Sequence, residues 1–490
     1  MNLQKCAALA AAVAGAALNL AAAPQVDPKP WLGDLRQARA ALAEKYANFE
    51  WAVFDRELDL SKLFTTAQHR IETASSDADA RAAFDRLAAR LSDDHVDFRS
   101  PTAAAAASNP SADRCAALGF DAHMAAGPLA ALAPGYRPLA HAAASEFPAG
   151  IIVSAGRQIG VLKLGVFDPA GYPELCQAAL QALAIPATAP CDDDACRDRV
   201  MTWAAARMTR DFAAQLRALQ AAGATALVVD IAGNGGGTQW AEAAARMLTS
   251  IRLRSESMRF VRGDHWIKNF ADEETELRKA VADNPADAAF LNPLIAQLAA
   301  RQKEAATPCS SEPFWRGARP ACSWLGQGFY GSGILPSADP ATLRGKPWAA
   351  AVFSPMQFPY EEGVWHGPLV VLVDADVASA AAEFSAVLQD NHAAVIMGAP
   401  SSGGCGHTNG GTPTVLTNSH AVLSVPDCAR IRADGSNEAR GIEPDVLVGL
   451  SAKEGAHLRA QRFAARLPAV VSQARDLLQR RRLEGARTRP

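Results

Sequence analysis

Ser379 lies in PLVVLVDADVASAAAEFSAVLQDN (368–391), which reads as a strand, a short loop and a helix with the serine at the helix entrance. A hydroxyl there sits at the positive end of a helix dipole, where a developing oxyanion is stabilised. The small neighbours Ala378, Ala380, Ala381 and Ala382 let a substrate backbone approach. The same position also suits an ordinary N-cap serine. A second element, ALVVDIAGNGGG (226–237), reads as a buried strand running into the turn Asn234-Gly235-Gly236-Gly237. The backbone N–H groups of such a turn can form a nest for phosphate or an oxyanion. No Gly-Lys-Ser/Thr follows and no GxGxxG with a downstream acid is present, so nucleotide loops are excluded. A plain left-handed turn between strand and helix explains the glycines equally well. His95, in the polar stretch SDDHVDFRSP, and Glu438, in ADGSNEARG, are a possible base and acid that nothing local singles out.

Holding these residues requires a sizeable core. With 49% hydrophobic and 20% charged residues over 490 positions, such a core is available and wholesale disorder is excluded. The net charge of −3 lacks the basic excess of a dedicated nucleic-acid binder. Residues 28–97 read as an N-terminal helical subdomain carrying His95, with apolar residues at three- and four-residue intervals. Residues 98–150 are an Ala-rich connector of poor periodicity. Residues 151–450 alternate strands, turns and helices, an α/β pattern, with an insertion at 251–345. A basic helix fills 451–490.

Lys5, the apolar run from Cys6 and the small residues Ala21-Ala22-Ala23 give residues 1–23 the layout of a secretory leader. No later apolar run is long and uncharged enough to span a bilayer. The expected location is periplasmic or secreted, without stable membrane insertion. Loss of the leader removes Cys6 from nine cysteines and leaves an even set, which favours disulfides in an exported chain. Sequence leaves the connectivity open; neighbour pairing (115–176, 191–196, 309–322, 405–428) is the simplest arrangement. No CxxC or HxxxH spacing occurs, so no metal site is expected, and no cofactor.

Taken together, four segments in matching order resemble the C-terminal-processing and tricorn-type serine peptidases: LSDDHVDF, ALVVDIAGNGGG, VLVDADVASAAAEFSAVLQDNHAAVIMGAPSSGG and NEARGIEPDVLV. The resemblance spans roughly residues 30 to 450. It implies a ClpP/crotonase-like α/β (α+β) core of mixed sheet and flanking helices, with polypeptide substrates. In one branch of the family a lysine 25 residues after the serine is the base; here that position is Gly404, and no lysine lies between Lys346 and Lys453. The segment around the serine looks closer to the tricorn-like branch that includes the chlamydial protease-like activity factor. That likeness implies Ser379 as nucleophile, His95 as base and Glu438 as its partner, with Glu443 the alternative. The Ala380 N–H and one N–H from Gly235 or Gly236 would hold the oxyanion. About 55 residues between His95 and Ile151 leave little room for the PDZ domain the family often carries, so PDZ is expected to be absent or degenerate. Two other readings compete: a catalytically inactive peptide- or ligand-binding protein on the same scaffold, and an α/β-hydrolase esterase, which the absence of Gly-x-Ser-x-Gly disfavours. A homodimer is compatible with the sequence.

Overall fold

The computed structural model describes residues 26–100, 114–120, 128–139, 146–186, 191, 193–406, 413–449 and 454–487. The leader read at 1–23 and part of the 98–150 connector lie outside them. Uninterrupted apolar strands need both faces covered, and the central sheet meets that need. Its seven strands run β13-β9-β8-β5-β4-β3-β2. They are β2 (Tyr136–Pro138), β3 (Ala149–Ser154), β4 (Arg157–Lys163), β5 (Ala226–Asp230), β8 (Leu369–Val373), β9 (Val395–Gly398) and β13 (Val446–Leu447). From β4 to β13 the pairs are parallel; β2, β3 and β4 are antiparallel.

Alternation along the strands sends Leu227, Val229, Leu369, Val371 and Val373 to one face. There they pack with Met208, Phe212 and Leu216 of a long helix (Asp194–Ala221), with Trp240 of the helix Trp240–Met247, and with Phe384 of the helix Ala380–Asp390. Ala226, Val228, Val370 and Leu372 face the other way and are covered by Phe463, Leu467, Val470 and Val471 of the C-terminal helix Ala456–Arg487. The described part of 98–150 holds two short helical turns and β2, which joins the main sheet. Among the described residues no helix is long and apolar enough to cross a membrane.

The segment 251–345 is woven into the fold at both ends. β6 (Ser257–Val261) pairs with β7 (Leu325–Tyr330) and with β12 (Cys428–Ile431). Its loop supplies Phe314, Trp315 and Trp324 to the core of the N-terminal helices α1 (Pro28–Lys45), α2 (Leu60–Glu72) and α3 (Asp77–Leu91). Phe49 stacks on Phe314 at 5.1 Å, and the Trp324 indole donates to the Tyr46 carbonyl at 2.9 Å. After α3 the chain enters β1 (Asp97–Arg99), which pairs antiparallel with β11 (Val422–Ser424); β11 also pairs with β10 (Thr414–Val415). That pairing carries residue 95 across more than 300 positions of sequence to the loop after β9. The disulfides are Cys115–Cys176, Cys191–Cys196, Cys309–Cys322 and Cys405–Cys428, the neighbour pairing.

Candidate active site

Ser379 joins β8 to the helix Ala380–Asp390 with φ 53° and ψ −126°. A non-glycine residue in such a conformation costs about 1–3 kcal/mol and persists only where its surroundings enforce it. Its side chain makes no cap hydrogen bond, so the ordinary N-cap role is not realised. The hydroxyl is left for other chemistry at the helix N-terminus.

The glycine turn packs directly on this serine. A Cβ on Gly236 would lie 2.8 Å from Ser379 Cβ and 2.9 Å from the Ala380 nitrogen, and its φ is +113°. Only glycine allows that approach. Asn234, fully buried, organises the turn. Its Nδ2 donates to the Leu164 carbonyl at 3.0 Å, its Oδ1 accepts the Gly236 N–H at 2.9 Å, and its carbonyl accepts the Ala378 N–H at 3.2 Å. The Gly236 N–H is thereby committed to Asn234 and is not available to an oxyanion. Among the described residues the N–H groups of Gly235 and Ala380 have no acceptor. These two remain as candidate oxyanion donors, the geometry that stabilises charge developing on a carbonyl oxygen.

His95 follows α3, whose last turn closes on Ser92 in the left-handed region at φ 49°. The His95 side chain is 16% exposed, and its backbone N–H donates to Asp93 Oδ1 at 3.1 Å. Gly404 and Gly406 wall the ring: a Cβ on Gly404 would stand 3.6 Å from Nδ1, and one on Gly406 would stand 3.0 Å from Cδ2. The position where the related branch has its lysine is thus a glycine at φ +109° packed against the imidazole. Cys405, between those glycines, is bonded to Cys428 of β12, which ties the loop to that strand. Ser379 Oγ and the imidazole share no hydrogen bond among the described residues; catalytic hydrogen bonds often tighten only when substrate binds.

Glu438 is fully buried in a helical turn after β12, and Glu443 is exposed on the following loop. Glu438 Oε1 accepts the Gly404 N–H at 3.3 Å and pairs with Arg430 Nη1 at 3.2 Å. Burial pushes its carboxyl up, but Arg430, a hydrogen bond from Glu256, Arg432 and the Gly404 N–H outweigh that and hold it below its ordinary value. Glu256 is raised well above the ordinary carboxylate range, first by burial and then by the charge of Glu438, so it is the partner that keeps a proton.

Arg430 is the hub that sequence reading missed. The same guanidinium also reaches the Ser379 carbonyl at 3.2 Å, the Gly404 carbonyl at 3.2 Å and Glu383 at 3.0 Å. It therefore connects the serine junction, the loop beside His95 and Glu438. The available signal was the strand period: Arg430 and Arg432 are two apart on Cys-Ala-Arg-Ile-Arg, so they share one face. Their burial could not be read from that. Among the described residues no group of three or more His, Cys, Asp or Glu side chains converges to hold a metal ion.

Comparison with known proteins follows the same outline. The family model for peptidase family S41 matches residues 199–448, just over half of the chain. No curated protein sequence matches. Among solved structures, the chain is similar to mature CPAF, with 14% identity and a TM-score of 0.55 over 92% of this chain and 98% of that one. It is similar to mature CPAF complexed with lactacystin at 14% identity and a TM-score of 0.54, over 92% and 99%. At these identities the likeness speaks to the fold.

Proposed function

Because this chain belongs to peptidase family S41 and is a serine-type peptidase, we propose that it is an exported endopeptidase that works through an acyl-enzyme on Ser379. Ser379 Oγ attacks the scissile carbonyl while His95 takes the hydroxyl proton. The same proton passes to the leaving amine as the C–N bond breaks, and water then releases the acyl group. The Ala380 and Gly235 N–H groups receive the oxyanion, and losing one such donor typically costs ~10²–10³ in rate. Glu438 acts through its neighbours: it fixes the Gly404 N–H and Arg430, and so the wall beside the imidazole.

The observation that carries this reading is the strained Ser379 junction, with its uncapped hydroxyl packed on Gly236 beside two open N–H groups. Four disulfides support an oxidising compartment, periplasmic or extracellular. The test is labelling with a fluorophosphonate followed by mapping of the modified peptide. Wild type should label at Ser379, and Ser379→Ala should neither label nor hydrolyse fluorescein-labelled casein while keeping the wild-type melting profile. Unchanged casein hydrolysis by Ser379→Ala would sink the assignment. A folded wild type that never labels would instead favour an inactive binding protein on this scaffold.

A further inference from the structure

We propose that Asp93 is the carboxylate that orients the His95 ring and balances its charge when the imidazolium forms, with Asn48 holding Asp93 in place. The proposal rests on the Ser379–His95 reading above and assigns a positioning residue to it. His95 Nδ1 is buried and has no hydrogen-bond partner among the described residues. Asp93 Oδ1 lies 3.8 Å from it, and the Asp93 side chain is 1% exposed. Glu438, in contrast, is engaged by Arg430, the Gly404 N–H and the protonated Glu256, and makes no bond to the imidazole among the described residues.

Asp93 is held on two sides. Its Oδ1 accepts the His95 backbone N–H at 3.1 Å, and its Oδ2 accepts Asn48 Nδ2 at 2.8 Å. Asn48 is fully buried, and its Oδ1 accepts Asn437 Nδ2 at 2.8 Å, one residue before Glu438. The Tyr46 hydroxyl also faces Asp93; burial first, then the Asp93 charge, holds it well above its ordinary range, so it stays neutral. A polar chain thus runs from the turn that carries Glu438, through Asn48 in the turn after α1, to the carboxylate beside the imidazole.

A 3.8 Å separation is too long for a hydrogen bond to a neutral ring. It is an ion-pair distance once the ring is charged. When Ser379 Oγ bonds to the substrate carbon and its proton moves to His95 Nε2, Nδ1–H becomes part of a cation facing a buried carboxylate. The attraction grows as the charge appears, so it lowers the barrier more than it tightens substrate binding. The proton leaves with the amine and is not passed on to Asp93.

The test uses the whole protein and a phosphonylated adduct, in which Ser379 Oγ has displaced fluoride and the imidazolium is trapped. In the adduct the charged ring should draw Asp93 Oδ1 from 3.8 Å into hydrogen-bond range, so proton NMR should show a far-downfield Nδ1–H resonance in wild type and in Glu438→Gln, and none in Asp93→Asn. With p-nitrophenyl acetate, Asp93→Asn should lower kcat by about 10² or more with little change in KM, up to the ~10⁴ lost when the orienting carboxylate of a Ser-His-Asp triad becomes an amide. If Asp93→Asn labels at Ser379 but keeps both the resonance and kcat, the assignment of Asp93 is wrong. If wild type does not label, both this assignment and the peptidase mechanism fail. Asn48→Ala covers the case in which Asp93→Asn does not fold. It leaves the carboxylate in place but without its Oδ2 donor, so kcat should fall and the resonance should shift, and no change in either would overturn the proposal.

Discussion

Replacing Gly236 by alanine tests the contact on which the serine junction depends. The added Cβ would stand 2.8 Å from Ser379 Cβ, 2.9 Å from the Ala380 nitrogen and 3.0 Å from the Ala378 carbonyl oxygen. Carbon atoms rest about 3.5–4.0 Å apart, so relief requires the serine junction to retreat by roughly 0.7 Å or more. None of the obstructing atoms is the end of a flexible side chain, so the backbone itself must move. An alanine at φ +113° adds strain of about 1–3 kcal/mol, and overpacking adds about 1–3 kcal/mol. A displacement approaching 1 Å at a reacting centre costs on the order of 10² in rate. Gly236→Ala should therefore lower kcat/KM for p-nitrophenyl acetate by about 10² or more, and should slow fluorophosphonate labelling in parallel. Gly235→Ala is the control, because a Cβ there meets nothing within 4 Å and the N–H survives. It should keep near wild-type kcat and stability. The reasoning is refuted if Gly236→Ala labels at the wild-type rate, or if Gly235→Ala is damaged as much.

Two further outcomes follow from the buried charges. Arg430→Gln strands Glu438 and Glu383 and releases the Ser379 and Gly404 carbonyls. It should cost about 3–5 kcal/mol in urea unfolding and lower kcat at temperatures where the protein is still folded; an unchanged urea midpoint would count against the hub. Glu383 is pushed up to about 8 from an ordinary 4.5, first by burial, with Arg430 opposing and Glu242 reinforcing the shift. Between those values the native state holds a proton that the unfolded chain has released, so stability falls as pH rises, by up to about 1.4 kcal/mol per unit. It levels off above the folded value. Thermal melts from pH 5 to 9 should show that decline, and Glu383→Gln should make it shallower, the rest coming from Glu256, which is raised in the same direction; a flat wild-type profile would contradict the shift.

Several features were determined by the sequence itself. Runs such as Leu-Val-Val-Leu-Val demanded a sheet covered on both faces, and the serine at a strand–helix junction and the glycine turn were both local patterns. Strand period and turn chemistry act over a few residues, so they can be read without knowing the fold. The pairing of neighbouring cysteines was likewise the simplest expectation from an even set in a chain read as exported. The rest was decided by tertiary structure. The Gly236 N–H was lost as a donor because Asn234, two residues away, turned its own side chain back onto it. His95 gained a setting only when β1 paired with β11 and brought it against Gly404 and Gly406. The segment 251–345, set apart as an insertion, proved to supply β6, which pairs beside the strand bearing Arg430. Arg430 and Arg432 could be placed on one strand face but not assigned a role, because arginines on a strand are usually solvated. The burial of Arg430 is compensated by three glutamates, Glu256, Glu383 and Glu438, all buried and drawn from widely separated segments. Long-range charge compensation leaves no local trace, because each partner obeys the pattern of its own element and only their meeting makes the site.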